Sequence, residues 1–336
     1  MKRISQQDMK ILETFIASSQ ASTKKIVSYF LHKYYKKVIE TEEYLFAEGD
    51  IPVALVAHLD TVFEKDIPLE KRELFYDERR NVAFCPQGAG FDDKAGVFAI
   101  VQIIRSGLRP HIIFTTDEEI GGKGAAALAK LDCPFSNLKY IIELDRRGSN
   151  DCVFYDCDNK DFTNYVETFG FEWNFGSYSD ICEFCPAWKV AGVNLSIGYR
   201  DEHSVSEVLF VGQMLSTIEK VKKMLADAVN LKEPFEYIPG VSTYSLAYGW
   251  YGTDTMNVMK CHNCHKYFME EELFPAIMLD DSTSFYCPDC LVDHVSWCTF
   301  CGSAYEKYSP EAPDTGTCPA CIKLKEKYNG ITNKDK

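Results

Sequence analysis

Val53-Ala54-Leu55-Val56-Ala57-His58-Leu59-Asp60 is a run of five apolar residues that stops at a histidine and, two positions on, an aspartate. A continuous apolar run of this length reads as a strand buried on both faces, as strands inside a parallel sheet are. Four more segments carry the same signature further along: Gly90-Phe91-Asp92-Asp93-Lys94-Ala95-Gly96, Thr116-Asp117-Glu118-Glu119-Ile120-Gly121, Glu143-Leu144-Asp145 and Glu202-His203-Ser204. Each follows or closes an apolar run. Strands are expected at 111–116, 138–144 and 192–197, and helices at 94–104, after Gly121-Gly122, and at 206–229. Strand and helix in alternation predict an α/β fold, a three-layer, mostly parallel sheet flanked by helices. In such a sheet the loops at the strand ends converge on one crevice, so residues far apart in sequence meet there.

Outside this frame the spacing predicts a helix over 5–19, a second helix capped by Ser22-Thr23, and a hairpin around the polar turn Asp77-Glu78-Arg79-Arg80. The 336 residues suffice for one large domain or two smaller ones. A formal net charge of −14 disfavours nucleic acid as main partner, because holding phosphates needs a basic face. The first residues lack the apolar core of an export signal, and no stretch has the roughly 18 consecutive apolar residues of a membrane span. A cytoplasmic protein with no membrane partner is expected.

Two histidines and several carboxylates at one crevice are what a pair of divalent metals bridged by water requires. Asp92, in a segment flanked by glycines, suits the bridge. Adjacent residues leaving a strand point in different directions, so one of Glu118 and Glu119 binds metal while the other faces the water. His58 with Asp60 fits a histidine ligand whose tautomer a carboxylate holds. Asp145 and His203 complete the two coordination spheres; Glu143, on the same side of its strand, competes with Asp145. Asp93 reads as a solvated or loop-satisfying carboxylate, Lys94 as a structural partner, and Arg146-Arg147 as a surface ion-pairing segment.

These five motifs, in this order, resemble those of the dinuclear zinc exopeptidases, the group containing aminoacylase, carboxypeptidase G and peptidase T. The resemblance spans roughly residues 50–210. It implies that Asp92, His58 and Asp145 hold one zinc and that Asp92, Glu119 and His203 hold the other. It makes Glu118 the general base and places Asp60 behind His58. One departure is large. Peptidase T relatives insert a lid domain between the fourth and fifth motifs, whereas here Asp145 and His203 stand 58 positions apart. The layout is therefore nearer that of compact zinc aminopeptidases. Without a lid, a zinc, Tyr199 or Arg200 is left to polarise the substrate carbonyl. The expected activity is that of an aminopeptidase on short peptides. The alternatives are an amidohydrolase of N-acyl amino acids and, from another class, a binding protein with a relic hydrolase domain. The native metal of the catalytic pair is left open between zinc and another divalent ion.

Eight of the 14 cysteines form four Cys-x-x-Cys pairs near the C-terminus: Cys261/Cys264, Cys287/Cys290, Cys298/Cys301 and Cys318/Cys321. In a chain without an export signal these read as thiolate ligands of two structural zincs, paired either in sequence or cross-braced. So short a segment lacks a core of its own, and closed thiolate sites support folding, not catalysis. His262, His265 and His294 are spare ligands. The other cysteines, Cys182-x-x-Cys185 included, read mostly as small buried hydrophobes. The expected organisation is a catalytic domain at 1–229, a packed linker at 230–257, a zinc-binding module at 258–325 and a charged tail at 326–336. Its expected interactions are a peptide substrate, a protein partner on the module, and self-association into a homo-oligomer.

Overall fold

The computed structural model describes residues 2–64, 72–240, 258–264, 266–269, 272–278, 283–307, 316–319 and 321–323. His265, the linker beyond residue 240 and the tail at 326–336 lie outside the described residues. The chain divides into two units, Met1–Thr243 and Tyr244–Lys336.

The first unit opens with two helices, α1 (Gln6–Ile16) and α2 (Gln20–Tyr34), followed by strands β1 (Val38–Glu40), β2 (Tyr44–Ala47) and β3 (Ile51–His58). Then come β4 (Phe75–Asp77), β5 (Val82–Phe84), α3 (Phe91–Arg105), β6 (Pro110–Thr115), α4 (Lys123–Leu128), β7 (Tyr140–Arg146) and β8 (Asp151–Val153). The unit continues with α5 (Lys160–Glu167), β9 (Glu172–Trp173), α6 (Ile181–Trp188), β10 (Gly192–Ser196), β11 (Tyr199–Arg200), β12 (Val208–Phe210) and α7 (Val211–Ala228).

Its main sheet runs β1-β2-β6-β3-β7-β10-β8-β9, and the four central strands β6, β3, β7 and β10 are parallel. This is the three-layer α/β fold. Residues 53–57 are fully buried because β3 has a parallel neighbour on each side and helices over both faces. Val53, Leu55 and Ala57 face the layer that includes Leu12 of α1, Phe98 of α3 and Val221 of α7. Ala54 and Val56 face the layer of α4 and α6, with Leu128, Phe184 and Trp188. A smaller sheet, β11-β12-β5-β4, stands beside the strand ends and carries the loop with His203.

Local chemistry moves two helix starts from where the sequence places them. Ser19, not Ser22-Thr23, caps α2, accepting the Ser22 N–H at 3.2 Å. Thr23 is instead buried and receives a hydrogen bond from the Lys94 ammonium. The last helix begins at Val211 because residues 208–210 pair with β5 as β12. Residues 230–240 lie along the first unit, where Phe235 packs on Tyr140, Phe162 and Tyr165 and Glu236 bridges to Val190. No helix among the described residues is long and apolar enough to cross a membrane.

The second unit holds a hairpin of β13 (Val258–Lys260) and β14 (Tyr267–Met269), and a sheet ordered β16-β15-β18-β17. Its strands are β15 (Phe274–Ile277), β16 (Thr283–Tyr286), β17 (Val295–Trp297) and β18 (Ala304–Glu306), with helix α8 (Pro288–His294) between β16 and β17.

Candidate metal centre

The parallel register puts the site together. Val56 of β3 is level with Glu143 of β7, so two residues further along each strand His58 and Asp145 emerge side by side. On the other flank His58 is level with Thr115, the last residue of β6, and the turn after it carries Glu118 and Glu119. Asp92 arrives from the N-terminus of α3, where Glu207 accepts the backbone N–H of Phe91 and of Asp92, each at 3.0 Å. Gly90, at φ 64°, has no room for a side chain, because a Cβ there would stand 2.7 Å from Thr61. His203 also takes a left-handed conformation, at φ 60°, which histidine adopts more readily than most residues.

Asp92 stands at the centre. Its Oδ1 lies 3.1 Å from His58 Nε2 and its Oδ2 lies 3.2 Å from His203 Nε2. His58 Nε2 is also 3.6 Å from Asp145 Oδ1, and His203 Nε2 is 3.0 Å from Glu119 Oε2. Two groups of ligand atoms result, His58–Asp92–Asp145 and Asp92–Glu119–His203, sharing Asp92. Behind His58, Asp60 stands 3.4 Å from Nδ1, and its two oxygens accept the N–H groups of Glu118 and Glu119, each at 3.1 Å. Asp60 therefore fixes both the histidine and the turn bearing the glutamates. Glu118 and Glu119 also each place an oxygen near a His58 nitrogen.

The electrostatics call for positive charge. Burial alone would lower the pKa of His58, but Asp145, Asp60 and Asp92 around it raise it well above the usual value. Hydrogen bonds to Asp92 and Glu119 push His203 up to about 10. Burial, and then the charge of Asp92, hold Asp145 well above the usual carboxylate range. Burial raises Glu118 to about 7. The buried Oε1 of Glu119 has no hydrogen-bond partner among the described residues. Nitrogen and carboxylate donors drawn together with so little cationic charge of their own match the donor set of a pair of divalent cations.

Among the neighbouring residues Asp93 departs from the sequence reading. Asp93 is fully buried, not solvated: it accepts the N–H groups of Gly96 at 2.9 Å and His58 at 3.3 Å, tying α3 to the end of β3. Lys94 is buried too, and its ammonium bonds the Leu59 carbonyl and Thr23. Glu143 lies one strand repeat deeper than Asp145 and bonds Ser179. Tyr199 is committed to Asp145, donating to its Oδ1 at 3.1 Å. Arg200, next on the strand, turns to the opposite face and stacks over Phe210. Arg147 pairs with Glu202 at 2.7 Å, and Arg146 bonds the Phe175 carbonyl at 2.7 Å. Cys182 and Cys185 lie in α6, where burial raises both thiols well above their usual pKa.

Sequence reasoning missed Glu207, Asn194, Ser179 and Asp180. Asn194 accepts the Asp145 N–H at 3.0 Å and donates to the Asp145 carbonyl at 2.9 Å. Ser179 bonds Glu143 and lies 3.5 Å from Asp145 Oδ2, and Asp180 accepts a hydrogen bond from Thr115. The one available signal was Ser179-Asp180 just ahead of an apolar helix, where such residues commonly cap. Glu207 and Asn194 carry no local signal.

In the second unit the thiols gather as Cys261–Cys264–Cys287–Cys290 and Cys298–Cys301–Cys318–Cys321, the sequential grouping and not the cross-braced one. Cys264 and Cys287 sulfurs are 3.8 Å apart, and those of Cys301 and Cys318 are 3.6 Å apart. A tetrahedron with Zn–S of about 2.3 Å has edges of about 3.8 Å, so both clusters have the size of a zinc cage. Burial opposes ionisation of Cys261, but the N–H groups of Cys287, Cys264 and Asn263 bring it down to about 6. The N–H of Cys318 does the same for Cys298, also to about 6.

No protein-family model matches the chain, and no curated protein matches it in sequence. Solved structures do resemble it. The aminopeptidase PepT from Bacillus cereus ATCC 10987 aligns with TM-score 0.53 at 14% identity, over 67% of this chain and 99% of that one. A tripeptidase from Staphylococcus aureus subsp. aureus Mu50 gives 0.54 at 12%, over 68% and 100%. A TET aminopeptidase from the marine sediment archaeon Thaumarchaeota archaeon SCGC AB-539-E09 gives 0.53 at 14%, over 66% and 97%. The chain shares the fold of these peptidases. At such identities the likeness is one of fold.

Proposed function

We propose that this protein is a zinc-dependent exopeptidase, an aminopeptidase acting on short peptides. The observation that carries the proposal is Asp92, which offers one carboxylate oxygen to the side of His58 and the other to the side of His203. His58, Asp92 and Asp145 would hold one zinc, and Asp92, Glu119 and His203 the other. Two such ions would supply Lewis acidity for the scissile carbonyl and lower the pKa of the attacking water. Glu118 takes a proton from that water as the water oxygen bonds to the carbonyl carbon, and delivers it to the departing amine as the C–N bond breaks. Asp60 keeps His58 and the glutamate turn in register for this transfer. The eight module cysteines would hold two structural zincs. Peptides are favoured as substrates by the fold shared with proteins named as aminopeptidases and a tripeptidase.

The test pairs Glu118→Gln with metal analysis on zinc-loaded protein. Loss of peptide turnover by about 10²–10⁴-fold with zinc retained is expected. Undiminished turnover in that variant overturns the assignment of the base. Free-amine di- and tripeptides are assayed against N-acylated amino acids, and preference for the latter replaces the aminopeptidase with an amidohydrolase.

A further inference from the structure

The interval that would hold a lid in peptidase T relatives contains, at residues 174–180, a strap lying across the strand ends. Nearly every residue of it is pinned. The Asn174 N–H bonds the Cys152 carbonyl at 2.9 Å and its side chain bonds Asp151 at 3.0 Å, while the Phe175 carbonyl accepts from Arg146. Gly176 passes so close to Val153 that a Cβ there would stand 2.8 Å from its Cγ1. Ser179 bonds Glu143 beside Asp145, and Asp180 bonds Thr115 at the end of β6. Between these anchors stands Tyr178, whose hydroxyl donates to Glu183 at 3.2 Å.

The Tyr178 hydroxyl sits on Gly122. A Cβ built at Gly122 would stand 1.9 Å from that oxygen, so the hydroxyl fills the space a side chain there would take. Gly122 closes the turn that begins at Glu118: the N–H groups of Gly121 and Gly122 both bond the Glu118 carbonyl at 3.0 Å. Asp60 grips the start of this turn, and Tyr178 presses on its far end.

We infer that Tyr178 is a positioning residue which, held on Gly122 by the 174–180 strap, sets the angle at which the turn presents Glu118. This inference rests on the peptidase reading. A turn left free to tilt by an ångström costs a proton-transfer geometry far more than it costs substrate binding. Tyr178→Ala should therefore lower kcat about 10- to 100-fold, with KM changed less than about threefold and both catalytic zincs retained. Tyr178→Phe keeps the ring without the oxygen and should fall between the two. Unchanged kcat in Tyr178→Ala, or a loss of kcat that tracks loss of zinc, overturns the inference.

A double-mutant cycle with Gly122→Ala reads the contact without any substrate. The added methyl collides with Tyr178, so Gly122→Ala should lower Tm more in the native background than in Tyr178→Ala. Equal effects in the two backgrounds overturn the contact. If the native protein cleaves no peptide at all, the peptidase reading fails while this cycle still reports on the brace.

Discussion

At the scale of single residues, the shared carboxylate separates this site from an ordinary acidic cluster. Asp92 is the member common to both ligand groups, whereas Asp145 and His203 each belong to one. Asp92→Asn should therefore cost about two metal ions per chain, and His203→Ala about one. Elemental analysis after zinc loading checks both, and equal losses in the two variants would remove Asp92 from the bridge. The residue types of this site were legible in the sequence because His58 and Asp145 close apolar strands and Glu118-Glu119 follow one, whereas Asp92 at a helix start and His203 in a loop stood out only through the order of the motifs. Their supports were not legible. Asn194 and Glu207 act through contacts across 49 and 115 positions of chain, and no local pattern reports such a contact.

At the scale of elements, β6 carries a pH sensitivity at the end away from the candidate metal centre. His111 is buried in this strand, stacked on Phe135 with ring centroids 4.3 Å apart, and its Nδ1 accepts the Gly49 N–H at 3.1 Å. Burial lowers its pKa from 6.5 to about 4, against the pull of Glu48 and Asp50. Between those values the unfolded chain binds a proton that the folded chain refuses, so stability is whole above about 6.5 and drains away as pH falls towards 4. The loss from this group is at most about 3 kcal/mol. His111→Phe should start less stable at pH 7.5, having lost the acceptor for Gly49, and should lose less on acidification. Urea melts at pH 7.5 and 5, followed by far-UV ellipticity, make the comparison; parallel losses in both proteins would dismiss His111 as the cause. The elements themselves show where sequence reading succeeds and stops. β3, β6 and β7 were plain because burial on both faces leaves a continuous apolar signal. The starts of α2 and α7 were misplaced, since Ser19 and Ser22 are equally good caps on paper, and β12 is set by pairing with β5 rather than by its own pattern.

At the scale of the whole molecule, the chain carries two kinds of candidate metal-binding cluster with opposite demands. The cysteine clusters are closed sets of four thiols at tetrahedral spacing, whereas the strand-end site mixes histidine and carboxylate around Asp92 and leaves His203 half exposed. Closed thiolate cages bind zinc as part of folding, while mixed sites keep positions open for water and substrate. The two should therefore separate in both count and lability. Zinc-loaded protein should carry about four ions per chain, of which about two leave first during dialysis against a mild chelator, taking any peptide turnover with them. Cys264→Ser and Cys301→Ser should each remove about one of the slower ions, and Cys182→Ser none, because its thiol lies in α6 outside both cages. A total of two ions, both insensitive to His203→Ala and lost with the cysteine variants, would mean that the strand-end site holds no metal. The chain would then be a zinc-stabilised binding protein on a peptidase scaffold.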